Sequence, residues 1–501
     1  MDNKKNMLLI NPAVRKETQH PIFNSVVFSS PPLGLGYIAA YLRANNKMEV
    51  RIIDEVVSPL SELEIEKQLN WLGSRPTIGI SCLTATYSRA KELARTIKQI
   101  KPDSFVIFGG AHPTALPEES LTDKTVDLVV RNEGEVTLAE VCEAKYFGRD
   151  WSNIKGISFI KNGMIQHNPG RGYAELDSFP DFPYDLFEHN LEHYSDFGMI
   201  LSSRGCPFDC IFCSNRIITG KKYRTFKVDA VVGQVEKLVL RYNQKSIYFV
   251  DDNIVVDKKR FFHLTNMIME RGLHKKAFFT AQFRGEDMTE EILVQMKKSN
   301  FKMLSCGMET GSNRLMALLN KGETVEEIKQ GIELASSSGF LTTTTFIFGI
   351  PTETRKERLD SSRLARRLKL DSARFNIAIP YPGTRLFEIA KSENRLHVSQ
   401  EWKNFNVQYY LFGDDIPYIP ASSGRYALIF DTMMANLKFY LRPKIIWTII
   451  FKTDITGGGV LSLQKRRNIL RTYLNLVYIW FFIMKRFCYV GIKAAFEKNG
   501  N

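Results

Sequence analysis

Short strand-like segments alternate with helical segments along most of this 501-residue chain. In the N-terminal part, an apolar strand over 77–81 precedes a helical stretch over 87–100. The alternation resumes near residue 198, with strand candidates at 198–202, 246–250, 277–282, 303–307, 343–349 and 374–378. Strands that alternate with helices of ten or more residues form parallel sheets built from βαβ units. The pattern predicts an α/β fold with an open doubly wound N-terminal sheet, followed by a partial (β/α)6 barrel.

A change of pattern separates the two α/β regions. Asn162 and Gly163 form a two-residue hairpin signal between the strand candidates 156–160 and 164–166. Prolines cluster over 179–184, and beyond residue 425 the pattern is helical and basic. The predicted domains are 1–145 (doubly wound, Rossmann-like), 146–197 (connector), 198–424 (partial barrel) and 425–501 (helical C-terminal region).

The C-terminal region carries most of the positive charge. The chain has a formal net charge of +14, and residues 425–501 contain 13 Lys or Arg and 3 Asp or Glu. A basic surface suits nucleic acid, an anionic membrane or an acidic substrate. No recognisable RNA-binding module accompanies this charge, so a nucleic-acid partner is not expected.

Two apolar segments in this region, 445–451 and 473–484, are shorter than the roughly 18 residues of a membrane-spanning helix. Basic residues flank the second segment, which is typical of an interfacial helix on a membrane, and the alternative is a buried core helix. The N-terminus lacks the apolar stretch of a signal peptide, and seven cysteines, an odd number, do not suit a disulfide framework. We expect a cytoplasmic protein, with peripheral membrane contact left open.

Three of the cysteines are close enough in sequence to bind one metal centre. They are Cys206, Cys210 and Cys213, in the segment SRGCPFDCIFCSN over 203–215. Three thiolates on one short loop can hold three irons of a cubane cluster. The fourth iron then stays open for substrate or cofactor, as in catalytic metal sites. A closed zinc site would need a fourth Cys or His, and the nearest following histidine is the distant His263.

This Cys-x3-Cys-x2-Cys motif, with Phe212 before its last cysteine, resembles the radical S-adenosylmethionine (SAM) superfamily. The resemblance implies a 4Fe–4S cluster whose open iron is chelated by the amino and carboxylate groups of SAM. It also implies a reductant such as flavodoxin or ferredoxin. Reduction then cleaves SAM to a 5′-deoxyadenosyl radical, which abstracts hydrogen from an unactivated carbon.

The ends of the later barrel strands resemble the same family in order and spacing. Glu309 lies where the family commonly contacts the SAM ribose, and the segment 346–354 resembles the family's Gly-x-Pro-x-Glu-Thr stretch. For a strand-end carboxylate, the alternative is a helix cap. The barrel residues to which the resemblance gives a cofactor-binding role are Phe212, Asp251, Asp252, Arg284, Glu309, Gly349, Pro351 and Pro382.

The segments 31–43, 108–118 and 127–137 resemble the cobalamin-binding domain that precedes many radical SAM barrels, over about residues 1–140. The Asp-x-His-x-x-Gly motif of many cobalamin proteins is absent, so His112 is not expected to bind cobalt. The alternative is an α/β domain that packs on the barrel and holds no cofactor. The resemblance assigns cobalamin binding to Gly34, Gly36, Gly109, Gly110, Glu133, Gly134 and Glu135.

The remaining cysteines, Cys82, Cys142, Cys306 and Cys488, are isolated and expected to be buried. A methylthiotransferase would need a second three-cysteine cluster, which they do not form.

Three functions stay open. The first is cobalamin-dependent methylation of an unactivated carbon in a hydrophobic or secondary-metabolite substrate. The second is an oxidative cyclisation or rearrangement with the same cofactors, and the third is a non-enzymatic iron–sulfur or cobalamin sensor. Aromatic residues near the C-terminus, such as Trp447 and Trp480, suit a lipid or a tetrapyrrole.

Overall fold

The computed structural model describes residues 5–14, 29–445 and 483–497. Its N-terminal part contains a seven-stranded sheet in the order β2-β1-β3-β4-β5-β6-β7. The strands are β1 (Asn6–Asn11), β2 (Glu49–Asp54), β3 (Thr77–Ser81), β4 (Phe105–Gly109), β5 (Leu128–Val130), β6 (Ile157–Lys161) and β7 (Met164–His167). The first five strands are parallel, and β6 and β7 add an antiparallel hairpin. Asn162 and Gly163, with φ of 52° and 78°, form its predicted turn.

The order of strands reverses between β1 and β3, and this reversal defines where a ligand can bind. An open parallel sheet leaves a crevice beyond the carboxyl ends of its strands at such a switch point. The helices around the sheet are α1 (Leu33–Asn46), α2 (Glu62–Leu72), α3 (Tyr87–Ile100), α4 (Ala111–Ala115), α5 (Pro117–Thr122) and α6 (Glu135–Tyr146). The predicted doubly wound architecture is therefore confirmed.

The second part is a parallel six-stranded sheet in the order β8-β11-β12-β13-β14-β15. Its strands are β8 (Met199–Ile200), β11 (Ser246–Phe249), β12 (Phe278–Phe283), β13 (Phe301–Glu309), β14 (Leu341–Phe348) and β15 (Ser372–Ile377). The helices of this part are α7 (Asn215–Thr219), α8 (Val228–Glu236), α9 (Lys258–Glu270), α10 (Glu290–Lys298), α11 (Asn313–Leu318), α12 (Val325–Ser337), α13 (Arg355–Arg367) and α14 (Arg385–Ser392). Six βα units in one parallel sheet confirm the predicted partial barrel.

Local sequence explains where several barrel helices begin. Thr289, Thr324, Thr354 and Thr384 precede α10, α12, α13 and α14, and each side chain accepts a hydrogen bond from a backbone N–H in the first turn. A threonine in this position satisfies one of the donors that a helix start leaves free. These caps define where the four helices begin on the side of the barrel that carries the predicted site.

The first barrel strand differs from its prediction. The strand expected over 198–202 is shorter than predicted, since β8 covers only Met199–Ile200; beyond this break the chain forms a separate strand β9 (Ser203–Arg204), which pairs antiparallel with β10 (Arg224–Thr225). The break has a physical cause, because the buried carboxylate of Asp251 accepts hydrogen bonds from the Ser202 N–H and hydroxyl and from the Ser203 hydroxyl. These bonds fix the chain beside the end of β11 just before the cysteine loop.

The two α/β parts share their apolar cores. Tyr37 of α1 stacks on Phe226, which follows β10, with ring centroids 5.3 Å apart. Trp402, beyond the last barrel strand, packs with the core around α3 and donates a 2.7 Å hydrogen bond from Nε1 to Glu119 of α5. The domain limits predicted from sequence stay a prediction, but in this structure the parts pack as one body.

The described C-terminal residues are helical, as predicted. They form α15 (Arg425–Tyr440) and a helix over 483–497, joined by a ring contact of 5.0 Å between Phe430 and Phe487. Most of the segments 445–451 and 473–484, with Trp447 and Trp480, lies outside the described residues. No helix in the described part is both long and apolar enough to span a bilayer. Cys488 is exposed, so its predicted burial was wrong, because it lies on the outer side of this last helix.

Candidate active site

A cavity of 450 Å³ lies between the switch point of the N-terminal sheet and the start of the barrel. Residues on its N-terminal side come from the ends of β1, β3, β4 and β5 and from the first turns of α1 and α6. Residues on the barrel side come from the segments around β9, α7 and the end of β11. Seven residues predicted from sequence to bind cofactors line this cavity: Gly34, Gly109, Gly110, Glu133, Gly134, Glu135 and Asp252.

Glycine is required in the cavity wall at position 110. Gly110 has φ 102° and ψ −173°, a conformation that residues with a side chain almost never adopt. A Cβ there would also lie 2.6 Å from the backbone oxygen of Cys82. Gly34 differs, because a Cβ at this position would meet no protein atom within 4 Å. The structure does not bring Gly36 to the cavity, since its α-carbon faces the ring of Phe182 inside the core.

The cavity wall is mostly apolar and offers cobalt no histidine. The described residues around the cavity are mainly leucine, isoleucine, valine and glycine, and none of them is histidine. His112 is fully buried elsewhere, with its ring 4.0 Å from that of Tyr87. Burial lowers the pKa of His112 to about 3, so it is neutral at physiological pH. The expectation that His112 does not bind cobalt agrees with this position.

Cys206, Cys210 and Cys213 lie in one irregular loop over 205–214, which contains no helix or strand. All three thiols are partly buried, and burial raises the pKa of each of them, that of Cys213 to about 11. Within the described residues, no three side chains of Cys, His, Asp or Glu are already gathered as metal ligands. Thiols in a loop that has no regular hydrogen-bond ladder can be drawn together by iron, and they release their protons when they bind it.

The middle of this loop is fixed to the barrel. The backbone N–H of Ile211 donates to Leu319 at 3.0 Å, and the Ile211 carbonyl accepts from Leu386 at 3.0 Å. The Ile211 side chain is buried with Leu315 in a small apolar cluster, against which Phe212 packs. Phe212, predicted to touch cofactor, therefore serves in this structure to hold the loop in place.

A second set of predicted residues braces the loop. Arg284, at the end of β12, lies 3.5 Å above the ring of Phe208, which is a loop residue. The guanidinium also donates to Glu286 at 2.7 Å. Lys321 is buried, pairs with Glu309 at 3.1 Å and lies close enough to Cys210 to favour its thiolate form. Positive charge near the thiols suits a cluster that the thiolates make anionic.

Glu309 has a strained backbone conformation at the barrel mouth. It ends β13 with φ 58°, and the pairing of β13 with β14 slips at the same point. A non-glycine residue in this left-handed conformation is uncommon and costs roughly 1–2 kcal/mol. The strain turns its carboxylate to Lys321, on the side of the sheet where the cysteine loop lies.

The two carboxylates at the end of β11 have different surroundings. Asp251 is buried and its carboxylate is occupied by Ser202 and Ser203, so it organises the backbone. Asp252 lines the cavity and accepts from Asn215, and burial raises its pKa. Asn215 begins α7 two residues after Cys213, and sequence reasoning did not identify it. Its polar side chain directly after the cysteine motif was the available signal.

The segment 349–354 is held by its own residues and by the C-terminal helix. The N–H of Gly349 donates to Glu353 at 2.7 Å, and Glu353 pairs with Arg358 at 3.2 Å. Arg358 in turn pairs with Asp431 of α15 at 3.1 Å. Pro351 is buried in the same stretch, and Pro382 is buried at the end of the sixth unit. These residues shape the barrel mouth, and none of them lines the cavity.

A buried ionic cluster between the two parts of the molecule was missed by sequence reasoning. Glu133 and Glu135 follow β5, and they meet Arg204 of β9 and Arg224 of β10. Burial lowers the pKa of the Arg204 guanidinium, and Glu135 and Glu133 more than offset this, so its pKa is raised. The carboxylates assigned to cobalamin thus have protein partners, which no local pattern indicates because the paired residues are far apart in sequence.

The comparisons with known proteins agree with this geometry. The family model of the radical SAM superfamily matches residues 200–365, and that of the B12 binding domain matches residues 19–142. An uncharacterized methyltransferase of Pyrococcus horikoshii is 32% identical over 462 residues, covering 91% of this chain and 97% of the relative. The anaerobic magnesium-protoporphyrin IX monomethyl ester cyclase of Rubrivivax gelatinosus is 26% identical and covers 87% of this chain and 79% of the relative.

A solved structure shows the same fold. The radical SAM methyltransferase TsrM from Kitasatospora setae, with cobalamin and a [4Fe–4S] cluster bound, superposes with a TM-score of 0.69 at 15% identity. The alignment covers 88% of this chain and 89% of that structure.

The glycines at the switch point and the loop with the three cysteines border the same cavity. This arrangement, together with the two family models, is that of an enzyme with two cofactor domains. The chain belongs to the radical SAM superfamily, in the group whose barrel follows a B12-binding domain. Its cofactors are a 4Fe–4S cluster, SAM and cobalamin, and the family needs a reductant and a small-molecule substrate. Family membership favours an enzyme over the sensor considered above.

Proposed function

We propose that this enzyme methylates an unactivated carbon of an apolar small molecule. The observation that supports the proposal is the shared cavity. Gly205 and Ser214, which flank the cysteine motif, line the same space as the switch-point glycines Gly109 and Gly110. One substrate in this space can therefore be reached from both cofactor domains.

The chain's own residues would bind, orient and shield the reactants. When bound, the cluster and SAM supply the 5′-deoxyadenosyl radical, and cobalamin supplies the methyl group. Cys206, Cys210 and Cys213 would hold the cluster, and the glycines at 34, 109, 110 and 134 would admit cobalamin. Glu309 would contact SAM. The apolar wall excludes water from the reacting carbon, which protects a radical from side reactions.

The lining points to an apolar substrate, since apolar side chains such as Leu9, Leu33 and Ile80 outnumber the polar ones around the cavity. A tetrapyrrole or a lipid has this character. The relative from Rubrivivax is named for a tetrapyrrole substrate, which makes the magnesium-protoporphyrin monomethyl ester a sensible first compound to assay. The same relative supports the second candidate function, an oxidative cyclisation.

The first experiment establishes the cofactors. The protein is purified without oxygen, reconstituted with iron, sulfide and hydroxocobalamin, and measured for metal content and absorption. We expect about four irons and one cobalamin per chain. Four irons without retained cobalamin would contradict methylation and leave the radical SAM chemistry in place.

The second experiment separates methylation from cyclisation. The reconstituted enzyme is given SAM with a deuterated methyl group, a chemical reductant, and either the magnesium-protoporphyrin ester or a total lipid extract. Methylation places the deuterated methyl group in the product, as seen by mass spectrometry. Formation of 5′-deoxyadenosine with an oxidised, unlabelled product would instead establish the cyclase alternative.

We also propose that the C-terminal region contacts an anionic membrane surface. On the helix over 483–497, Tyr489, Ile492 and Phe496 are 42%, 59% and 70% exposed. Their spacing places them on one face. Lys485 and Lys493 are exposed on the same helix. An apolar face bordered by lysines suits the boundary between lipid headgroups and acyl chains.

Sedimentation with vesicles tests this contact. The wild-type protein should sediment with vesicles of phosphatidylcholine and phosphatidylglycerol and much less with phosphatidylcholine alone. A variant with serine at positions 489, 492 and 496 should lose most of this binding. Val294→Ser, at a 52% exposed apolar residue of α10, is the control and should bind as the wild type does. Equal binding by all three proteins would refute the membrane contact.

A further inference from the structure

Two buried arginines face each other beside the cysteine loop. Arg204 and Arg224 are direct partners in the β9–β10 pair, and they are 7% and 4% exposed. Arg204 precedes Cys206 by two residues, so the pair closes the base of the loop. Buried charges of the same sign repel each other strongly and need compensation.

The carboxylates that compensate this charge come from the N-terminal domain in the contacts that the structure describes. The Glu133 carboxylate accepts from Arg224 at 2.6 and 2.9 Å and lies 3.3 Å from Arg204. The Glu135 carboxylate accepts from Arg204 at 2.7 Å. Glu135 is buried, the side chain of Glu133 is only 8% exposed, and both residues line the cavity.

The same N-terminal loop also contacts the far side of the cysteine motif. Asn132 has φ 63°, and its side-chain amide donates to the carbonyl of Ile217 in α7 at 2.8 Å. Its backbone N–H donates to Thr114 at 2.9 Å. The loop after β5 is therefore joined to the chain on both sides of the three cysteines.

These contacts argue against a ligand role for the two glutamates. Both oxygens of Glu133 and one oxygen of Glu135 already accept hydrogen bonds from guanidinium groups. Removing one side of such a pair leaves a buried charge without a partner, which is far more costly than losing a surface ion pair. A cofactor that took these carboxylates would leave two arginines uncompensated.

We propose that Glu133 and Glu135 are positioning residues that couple the cobalamin side of the cavity to the cysteine loop through Arg204 and Arg224. A ligand that fills the cavity touches the loop after β5, and the four charged side chains hold the base of the cysteine loop at a fixed distance from it. Occupation of the N-terminal domain then restricts the loop that binds the cluster. The inference rests on the cofactors of the family and does not depend on methyl transfer.

The test measures the cysteine loop in the full chain prepared without iron, using neither SAM nor substrate. Alkylation of Cys206, Cys210 and Cys213 by iodoacetamide is followed by mass spectrometry, with and without hydroxocobalamin. In the wild type, we expect hydroxocobalamin to slow alkylation at least fivefold. In the double variant Glu133→Gln/Glu135→Gln, we expect faster alkylation and less than twofold slowing, while cobalamin stays bound.

Controls separate this coupling from folding and from direct shielding. Glu140→Gln, on α6 but paired with Arg171, should behave as the wild type does. Glu135→Gln alone leaves Glu133 with both arginines and provides a milder variant with intermediate slowing, should the double variant fail to fold. If bound hydroxocobalamin shielded the thiols directly, it would slow their alkylation in the double variant as much as in the wild type.

Full protection in the double variant with cobalamin bound would overturn the inference, as would absence of protection in the wild type. Loss of cobalamin from the double variant, with alkylation in its absence unchanged from the wild type, would overturn it too and make the glutamates ligands. Because the assay contains no methyl acceptor, a failure of the methylation proposal would leave these outcomes unaffected.

Discussion

At the scale of single residues, position along the chain distinguishes cysteines that share the same chemistry. Cys206, Cys210 and Cys213 are partly buried in one loop beside a cavity, whereas Cys82 is buried in a core and Cys488 is exposed on the last helix. Only the loop thiols are placed to reach a common metal centre, since they lie within eight residues of one another in an irregular segment.

Replacing any one of these three cysteines with alanine should abolish assembly of the cluster, because a cubane needs three protein thiolates when SAM occupies the fourth iron. Iron content after anaerobic reconstitution should fall from about four per chain to well below one. Cys488→Ala should keep the wild-type content. A full cluster in the triple alanine variant would refute the assignment.

The cavity glycines allow a second test at this scale. Gly110→Ala should lower the free energy of unfolding by about 1–3 kcal/mol, because its backbone conformation is restricted to glycine. Gly34→Ala, where a Cβ meets nothing, should leave stability unchanged or slightly higher, since alanine suits a helix better. Urea unfolding measures both. Equal changes in the free energy of unfolding for the two variants would show that the backbone conformation at position 110 does not require glycine.

The Gly34 variant has a second use in cobalamin binding. Gly34 lines the cavity, so an added methyl group there should lower the affinity for hydroxocobalamin although the fold is intact. Equilibrium dialysis against hydroxocobalamin gives the comparison, and unchanged affinity would place the cofactor away from this wall.

Residue roles were predicted less well than residue positions. The sequence assigned Glu133 and Glu135 to the cobalamin domain and Asp252 to the barrel, and the structure brings all three to the same cavity. It did not indicate that the glutamates pair with Arg204 and Arg224, because spacing reveals only partners that are close in sequence or that share a strand end. Gly36 shows the same limit, since its close neighbour is Phe182 in the connector.

At the scale of elements, α13 shows how a carboxylate in the first turn stabilises the start of a helix. Thr354 and Glu357 form a capping box at its start, and Glu357 also pairs with Arg314 at 2.8 Å. Arg314 is the main cause that lowers the pKa of Glu357 to about 2, from an ordinary value of 4.5. Between about pH 2 and pH 4.5, this carboxylate is therefore ionised in the folded chain and protonated in the unfolded chain.

The stabilisation by Glu357 should be complete above pH 4.5 and should disappear as the pH falls toward 2. Glu357→Gln should lower the free energy of unfolding at pH 7 by about 1 kcal/mol, and the difference from wild type should vanish near pH 2. Glu327→Gln, in the capping box of α12, should have a smaller effect. A difference that stays constant with pH would contradict the ionic origin.

Elements were the most predictable level. Thr77–Ser81 and Tyr87–Ile100 have the predicted bounds, because periodicity and turn residues are local properties of the sequence. The first barrel strand was mispredicted, since its early end depends on Asp251, which lies some fifty residues later in the chain.

At the scale of the whole molecule, the segment after β15 returns to the N-terminal domain. Trp402 contacts the ring of His112, and neighbouring Glu401 accepts from Ser88 at 2.8 Å and pairs with Arg95. Together with the Tyr37–Phe226 contact, this gives the two α/β parts a common core at two separate places.

We expect the protein to unfold in a single calorimetric transition, because the hydrophobic core of each α/β part includes residues of the other part. Trp402→Ala should lower stability by about 3–5 kcal/mol and separate the transition into two. Val398→Ala, at an exposed residue of the same segment, is the control. Two transitions in the wild type would show that the domains are thermodynamically independent.

The paired strands β9 and β10 also affect how the enzyme survives oxygen. They close the chain around the cysteines before any metal arrives, so most of the entropy of forming this loop is already spent by the fold. Small zinc domains, by contrast, fold only when the metal binds. Oxidative loss of the cluster should therefore be reversible, because the protein keeps its fold without the cluster and can bind a new one without refolding.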